Sequence, residues 1–318
     1  MAEQAISTTS IGSVLAPKAS RKFVMPKVVM QILRNPLSLA GMIILLGFIL
    51  VAIFAPVLAP PPARSRDPFI IPRAGFKAEP SPPSPDHPFG TTEGQYDIFY
   101  GVVWGTRTAF LVGIVVVGST LIFGLVLGSV SAYLGGWVDD GLMRITEIFL
   151  AFPFLLAALT MAAVLQPKLG RGLYTGMIAL IVFGWMGYAR IIRGDILTVK
   201  EREYVTAARA IGVRDFNILF RHILPNAIFP TMVVASLDIA TIVLSFAALS
   251  FLGLGAELGY ADWGQMLALA RNWIPNLNKY WFIVVYPGTV LLLFVLGWNL
   301  LGDALRDIVD PRMRGKGN

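Results

Sequence analysis

Residues 200–225 read KEREYVTAARAIGVRDFNILFRHILP, a basic stretch between two long apolar segments. Apolar residues recur at helical spacing from Val205 to Ile211, and Gly212 follows them as a residue that can end a helix in the left-handed conformation. A second short helix is predicted to end at Pro225. The stretch therefore predicts two short helices joined by a turn, outside the membrane.

Six apolar segments around this stretch are each long enough to cross a bilayer. A helix needs roughly 20 residues to span about 30 Å of hydrocarbon. The six segments are 37–59, 102–134, 142–165, 174–192, 227–252 and 281–301. We therefore predict an all-α membrane protein with six transmembrane helices and with both termini on the same side.

The composition agrees with a membrane protein. Of the 318 residues, 56% are hydrophobic and 14% are charged, whereas charged residues make up about a quarter of soluble domains. The net charge of +7 comes from short basic stretches between apolar segments, which favours topology control over nucleic-acid binding. With no cysteine and two histidines, His87 and His222, the chain lacks the residues for disulfides or a Cys- or His-based metal cluster.

The distribution of Lys and Arg predicts the orientation of the spans. Basic residues concentrate in the N-terminal arm 1–36, the connection 193–226 and the tail 304–318, which places all three in the cytoplasm. The connections 60–101 and 253–280 then lie outside, and the first of these is dense in proline, which predicts an extended loop. No signal-peptide pattern precedes the first apolar segment, so we expect it to be retained as a span.

Sequence motifs for catalysis are absent. No GxxxxGK[ST] loop is present to bind nucleotide phosphates, so any ATP hydrolysis has to occur on another polypeptide. The glycines of 253–259 follow an apolar span and do not match a dinucleotide-binding fingerprint, and neither GxSxG nor HExxH occurs. We predict a subunit without catalytic residues, a bound metal or a cofactor of its own.

Three ionisable residues fall within or near the ends of the predicted spans. Glu147 follows Arg144 at i,i+3 spacing, which predicts a pair near the cytoplasmic surface. Arg107 lies near the outer end of the second span. Asp238 has no such local partner, so we consider it a candidate for the translocation path.

The cytoplasmic stretch resembles a signature of inner-membrane permeases of binding-protein-dependent ABC importers. That signature is EAA, three residues, Gly, nine residues and I-x-L-P, followed by a span. The residues at those positions are Thr206, Ala207, Ala208, Gly212, His222, Leu224 and Pro225. Thr206 replaces the glutamate and His222 the isoleucine, so a salt bridge from the first position does not carry over.

Further stretches resemble the dipeptide and oligopeptide subfamily, and within it the C-type subunit. They are HPFGTTEGQYDIFYGVVWGTR at 87–107, LAFP at 150–153, LSFLGLG at 249–255, DWGQML at 262–267 and LLGDALRDIVDPR at 300–312. Relatives often carry an acidic residue just before LSFLGLG, whereas this chain has Phe246, so a role for that position in the substrate path is not carried over.

The resemblance implies a type I ABC importer permease fold with its core at 102–303, in the cytoplasmic membrane of a prokaryote. It also implies a second, B-type permease, two ABC ATPase subunits that bind ATP and Mg, and an extracytoplasmic substrate-binding protein. The transported molecules would be di- or oligopeptides. The residues expected to couple to an ATPase are Glu203, Tyr204, Thr206, Ala207, Ala208, Gly212 and Pro225, and those expected to face the binding protein are Asp262 and Trp263.

Other functions stay open at the level of the sequence. Permeases of this group also move nickel complexes, opines and short oligosaccharides. A secondary transporter or channel would need a dense polar pathway or repeated spans, and a structural scaffold would leave the basic stretch without a partner.

Overall fold

The computed structural model describes residues 35–63 and 65–309. Within these residues the named elements are helices, and β structure is limited to three isolated bridges. Almost all of the predicted N-terminal arm 1–36, and residues 310–318 of the predicted tail, lie outside the described residues.

The helices are, in chain order, α1 Pro36–Leu58, α2 Ile98–Leu134, α3 Gly136–Leu150, α4 Phe154–Leu169, α5 Leu173–Lys200, α6 Glu203–Ala210, α7 Asp215–Asn217, α8 Leu224–Phe251, α9 Trp263–Ala270, α10 Leu277–Tyr280 and α11 Phe282–Val309. A π-helical segment, Ile218–Ile223, joins α7 to α8, so that Asp215–Phe251 forms one long span. Five helices are long and apolar enough to cross a membrane, and the pair α3 and α4 makes a sixth span if it is counted as one. The prediction of an all-α membrane protein is confirmed.

The third span differs from the prediction of one helix over 142–165. The structure divides it into α3 and α4, which meet at an angle of 89°. Pro153 causes the break, because its ring cannot continue α3 and disfavours helical dihedrals at the preceding Phe152. Apolarity alone predicted the span but could not predict the bend.

The second cytoplasmic helix also differs from the prediction, because it does not end at Pro225. Pro225 lies in the first turn of α8, and the chain enters it through the π-helical segment. Pro225 has no N–H to donate to the Arg221 carbonyl four residues earlier, and the wider π turn accommodates that gap. The turn after Gly212 therefore leads directly into the fifth span.

Helices α2 and α5 approach each other at the small residues of α2. A Cβ atom added to Gly124 would lie 2.8 Å from the Trp185 carbonyl oxygen, and one on Gly128 would lie 2.5 Å from that of Ala189. Both distances are too short for a side chain, so the glycines let the two backbones touch. Helices α2 and α5 are therefore in direct backbone contact at this pair.

Arg107 of α2 joins that helix to α1. Its Nε donates to the Ala52 carbonyl oxygen at 2.5 Å, and its terminal nitrogen donates to the Ile53 carbonyl at 3.3 Å. Pro56 lies inside α1 and has no N–H to bond the Ala52 carbonyl. The arginine thus supplies the hydrogen bond that the proline removes.

The two connections predicted to be external pack on each other at one end of the spans, and they are called the external layer below. The described residues between α1 and α2, 59–63 and 65–97, are without helix, as the proline density predicted. Ile71 N–H donates to Gly259 O at 2.8 Å, and Ala261 N–H donates to Phe69 O at 2.7 Å. Residues far apart in sequence therefore form one external layer.

Candidate functional site

The candidate site is the hairpin of residues 203–223, which the distribution of basic residues predicts to be cytoplasmic and which is called the cytoplasmic hairpin below. Its first helix, α6, ends at Ala210, and Gly212 follows with φ of 82°. The N–H groups of Gly212 and Val213 then donate to the carbonyls of Arg209 and Ala208, each at 3.1 Å. Since only glycine adopts this dihedral without strain, Gly212 sets the angle between the two arms of the hairpin.

One face of α6 is buried against the ends of the spans. Val205 is fully buried and Ala208 is 8% exposed, and both belong to an apolar cluster with Ile192 and Ile196 of α5 and Ile218 of the π-helical segment. This cluster fixes the hairpin to α5 and α8. Ala208, which the sequence suggested as a contact for a partner, is an internal anchor instead, because it lies one turn after Val205 on the inward face.

The opposite face of the hairpin is exposed. The predicted coupling residues on this side are Glu203, Tyr204, Thr206, Ala207, Gly212 and Pro225. Because Thr206 and Ala207 have short side chains, another surface can approach the α6 backbone closely here. Most of the predicted coupling residues are therefore accessible to a partner, with Pro225 at the start of α8.

Apolar residues at the tip of the hairpin were missed in the sequence. Ile211 is 81% exposed and Phe216 is 68% exposed. The rings of Phe216 and Phe220 lie 4.4 Å apart between centroids. The signal available in the sequence was an aromatic pair at i,i+4 spacing within a basic segment. Exposed apolar groups on a charged surface are typical of a protein interface.

A partly buried ion pair joins α5, the helix that supports the hairpin, to α3. Both Asp139 oxygens accept from the Arg193 guanidinium at 2.5 Å, and Ser131 at the end of α2 also donates to Asp139. The bidentate geometry fixes both distance and orientation. Three helices are thereby joined at their cytoplasmic ends.

The two residues expected to face a binding protein are buried instead. Asp262 caps α9, with Oδ2 accepting from Gln265 N–H at 2.8 Å. Trp263 is 2% exposed and donates from Nε1 to Val102 O at 3.2 Å. Neither side chain is free to contact a partner here, because Asp262 caps α9 and Trp263 holds that helix to α2.

Burial perturbs the Asp262 carboxyl group. Removal from water raises its pKa to about 6, against hydrogen bonds from Gln265, Ser250 and Gly264 that favour the charged form. Asp262 is therefore a structural cap with a measurable titration, rather than a contact for a partner.

Asp238 lies in the middle of α8 and contacts α5. Tyr188 donates from its hydroxyl to Asp238 Oδ2 at 2.6 Å. The pair lines a cavity of about 310 Å³. The ion pair predicted between Arg144 and Glu147 has its closest atoms 3.5 Å apart, and both side chains are exposed. Within the described residues, no group of three or more His, Cys, Asp or Glu side chains is placed to hold a metal ion.

Comparison with known families identifies two matching regions. Residues 124–315 match the family described as "Binding-protein-dependent transport system inner membrane component". Residues 27–74 match the "N-terminal TM domain of oligopeptide transport permease C". The first match includes the whole cytoplasmic hairpin.

Curated relatives are similar over nearly the whole chain. The dipeptide transport system permease protein DppC of Alkalihalophilus pseudofirmus is 38% identical over 290 residues, which cover 89% of this chain and 88% of that protein. The oligopeptide transport system permease protein OppC of Bacillus subtilis is 35% identical over 280 residues, covering 88% and 87%. The probable D,D-dipeptide transport system permease protein DdpC of Escherichia coli is 36% identical over 304 residues, covering 96% and 97%.

Among solved structures, inward-facing conformations of the MetNI methionine ABC transporter share the fold. One chain matches with a TM-score of 0.53 and 21% sequence identity, covering 66% of this chain and 95% of that chain. At this identity the similarity is one of architecture.

Proposed function

This chain belongs to the family of binding-protein-dependent transport system inner membrane components, and we propose that it is the C-type permease subunit of an ABC importer of di- and oligopeptides. The named relatives support the substrate class, since they are dipeptide and oligopeptide permeases matched over most of their length. The chain is a multi-pass membrane protein, and its place in the proposal is the cytoplasmic membrane of a prokaryote with both termini inside.

The proposed complex contains three further kinds of subunit. A second, B-type permease completes the translocation path, two ATPase subunits bind ATP and Mg in the cytoplasm, and an external binding protein delivers the peptide. The absence of a phosphate-binding loop from the sequence supports this division of labour. This subunit then uses ATP through mechanical coupling.

The observation that carries the proposal is the two-sided construction of the cytoplasmic hairpin. Its inner face, through Val205 and Ala208, is anchored on α5 and α8, and its outer face presents Thr206 and Ala207 to a partner. A groove of an ATPase subunit that receives the outer face would move both spans as rigid bodies when the ATPases close. The free energy available to move the spans is the difference between the hairpin's binding free energies to the open and to the closed ATPase.

A bulky residue on the outer face tests this docking. In Ala207→Trp, the indole replaces a short exposed side chain on α6, and we expect at least a tenfold loss of co-purified ATPase and of ATP-dependent peptide uptake by vesicles, equivalent to about 1.4 kcal/mol or more. The matched control is Ala78→Trp, an exposed alanine of the external layer, which should retain the ATPase. If the wild-type chain takes up peptide without any ATPase subunit, the protein is a secondary carrier and the proposal fails.

A further inference from the structure

The carboxylate of Asp238 lies near the middle of a span and has no cationic side chain as a partner among the described residues. Asp238 and Tyr188 lie close to the centres of 28-residue helices, α8 and α5. Among the residues that the structure describes, no Lys, Arg or His nitrogen lies within 4.0 Å of the Asp238 carboxylate. Its partner is a neutral hydroxyl, at 2.6 Å. An acidic group is costly at this depth, so its position points to a function.

The cavity beside Asp238 has room for part of a ligand. Its volume is about 310 Å³, at the lower end of the usual size of small-molecule sites. It lies at the break of the bent span, between Leu150 at the end of α3 and Phe154 at the start of α4. Discontinuous helices of this kind often form the substrate sites of transporters.

The lining of the cavity divides into a polar and an aromatic part. Asp238 and Tyr188, with the hydroxyl groups of Thr120 and Thr241, supply the polar part, while Phe154 and Phe183 supply aromatic surface. Gly187 leaves open space, since a Cβ atom built there has no neighbour within 4 Å. Such a site suits a cation attached to an apolar body.

We propose that the Asp238 carboxylate, oriented by Tyr188, receives a primary ammonium group of the transported molecule during passage through this subunit. An ionised carboxylate only accepts hydrogen bonds, and the tyrosine occupies one acceptor position of Oδ2. The remaining positions match the three donors of an ammonium group, and the phenyl rings add cation–π attraction. The free amino terminus of a peptide carries such a group, so this inference rests on the proposed importer function and specifies its chemistry.

Charge-selective labelling tests the site without transport. The chain has no cysteine, so Gly187→Cys places its single thiol in the cavity of the assembled complex. The quantity measured is the ratio of the reaction rates of a trimethylammonium methanethiosulfonate and of its sulfonate analogue with this thiol. We expect this ratio to be at least tenfold higher than for a free thiol in solution, which corresponds to about 1.4 kcal/mol. Adding Asp238→Asn should return the ratio to its solution value.

The matched control is Asp195→Asn, which neutralises a carboxylate of α5 that does not line the cavity. It should leave the labelling ratio unchanged. Complexes that contain the cysteine-free chain give the labelling of the other subunits, and this background is subtracted. An equal ratio with and without the Asp238 charge would overturn the proposal.

Uptake of a labelled tripeptide with a free amino terminus separates this inference from the importer function. With wild type, uptake that requires ATP supports the importer function, and a loss of at least fivefold in assembled Asp238→Asn complexes supports the ammonium site. If wild type shows no ATP-dependent uptake, the importer function fails. If wild type transports and Asp238→Asn transports equally well, only the ammonium site fails.

Discussion

The raised pKa of Asp262 makes the stability of the external layer depend on pH. Burial raises the folded-state pKa to about 6 from an ordinary value of 3.8, so the folded protein binds this proton more tightly than the unfolded chain does. The stabilisation is therefore complete below pH 4 and is lost as the pH rises through 6.

Asp262→Asn should remove this pH dependence. The amide oxygen can still accept from Gln265 N–H and cap α9, but it does not titrate. We expect the thermal stability of wild type to fall between pH 4.5 and pH 7.5 by more than that of the variant, with detergent and salt held constant. Parallel pH profiles for the two proteins would contradict the assignment of this titration to Asp262.

Sequence reasoning identified some residues of the site and misplaced others, for a physical reason. The conformation of Gly212 follows from local chemistry and was predicted. The burial of Asp262 and Trp263 depends on contacts such as Trp263 with Val102, which are distant in sequence. Short-range patterns carry no information on such contacts. The expectation that Asp262 and Trp263 face a binding protein came from the family resemblance, which does not report the burial of individual side chains.

At the scale of helices, the pairing of α1 with α2 predicts an interaction between two substitutions. Arg107→Leu leaves the Ala52 carbonyl without a donor in an apolar setting, which costs about 1–3 kcal/mol. In a Pro56→Ala background the alanine N–H can bond that carbonyl, so the same arginine substitution should cost less. A double-mutant cycle on thermal stability measures the difference. Additive effects would show that Arg107 does not compensate for Pro56.

Helix positions were more predictable than helix shapes. Each apolar segment predicted from the sequence coincides with part of a membrane-length helix or, for 142–165, with part of a bent pair. The helices extend beyond the apolar limits, as α5 does from the predicted end at 192 to Lys200, because a helix can continue into water once its polar side chains are solvated. The π-helical segment before Pro225 has no simple signature in the sequence.

For the whole molecule, the predicted orientation has a direct test. Because the chain has no cysteine, Ala78→Cys marks the external layer and Ala207→Cys marks the cytoplasmic hairpin. A membrane-impermeant maleimide should label the first in intact spheroplasts and the second only after lysis, with at least a tenfold difference for each. Labelling of Ala207→Cys in intact spheroplasts would reverse the orientation derived from the distribution of basic residues.

Helix α2 spans more than the hydrocarbon thickness. Its 37 residues correspond to about 55 Å at 1.5 Å per residue, and its glycines hold it against the α5 backbone. At the outer end, Val102 receives the hydrogen bond from Trp263, while α5 carries the hairpin cluster at the inner end. In the predicted orientation, these two helices form one rigid connection with an end on each side of the membrane. If an ATPase binds the hairpin as proposed, a tilt imposed at that end is expected to displace the external layer, and a load on that layer is expected to act back on the hairpin.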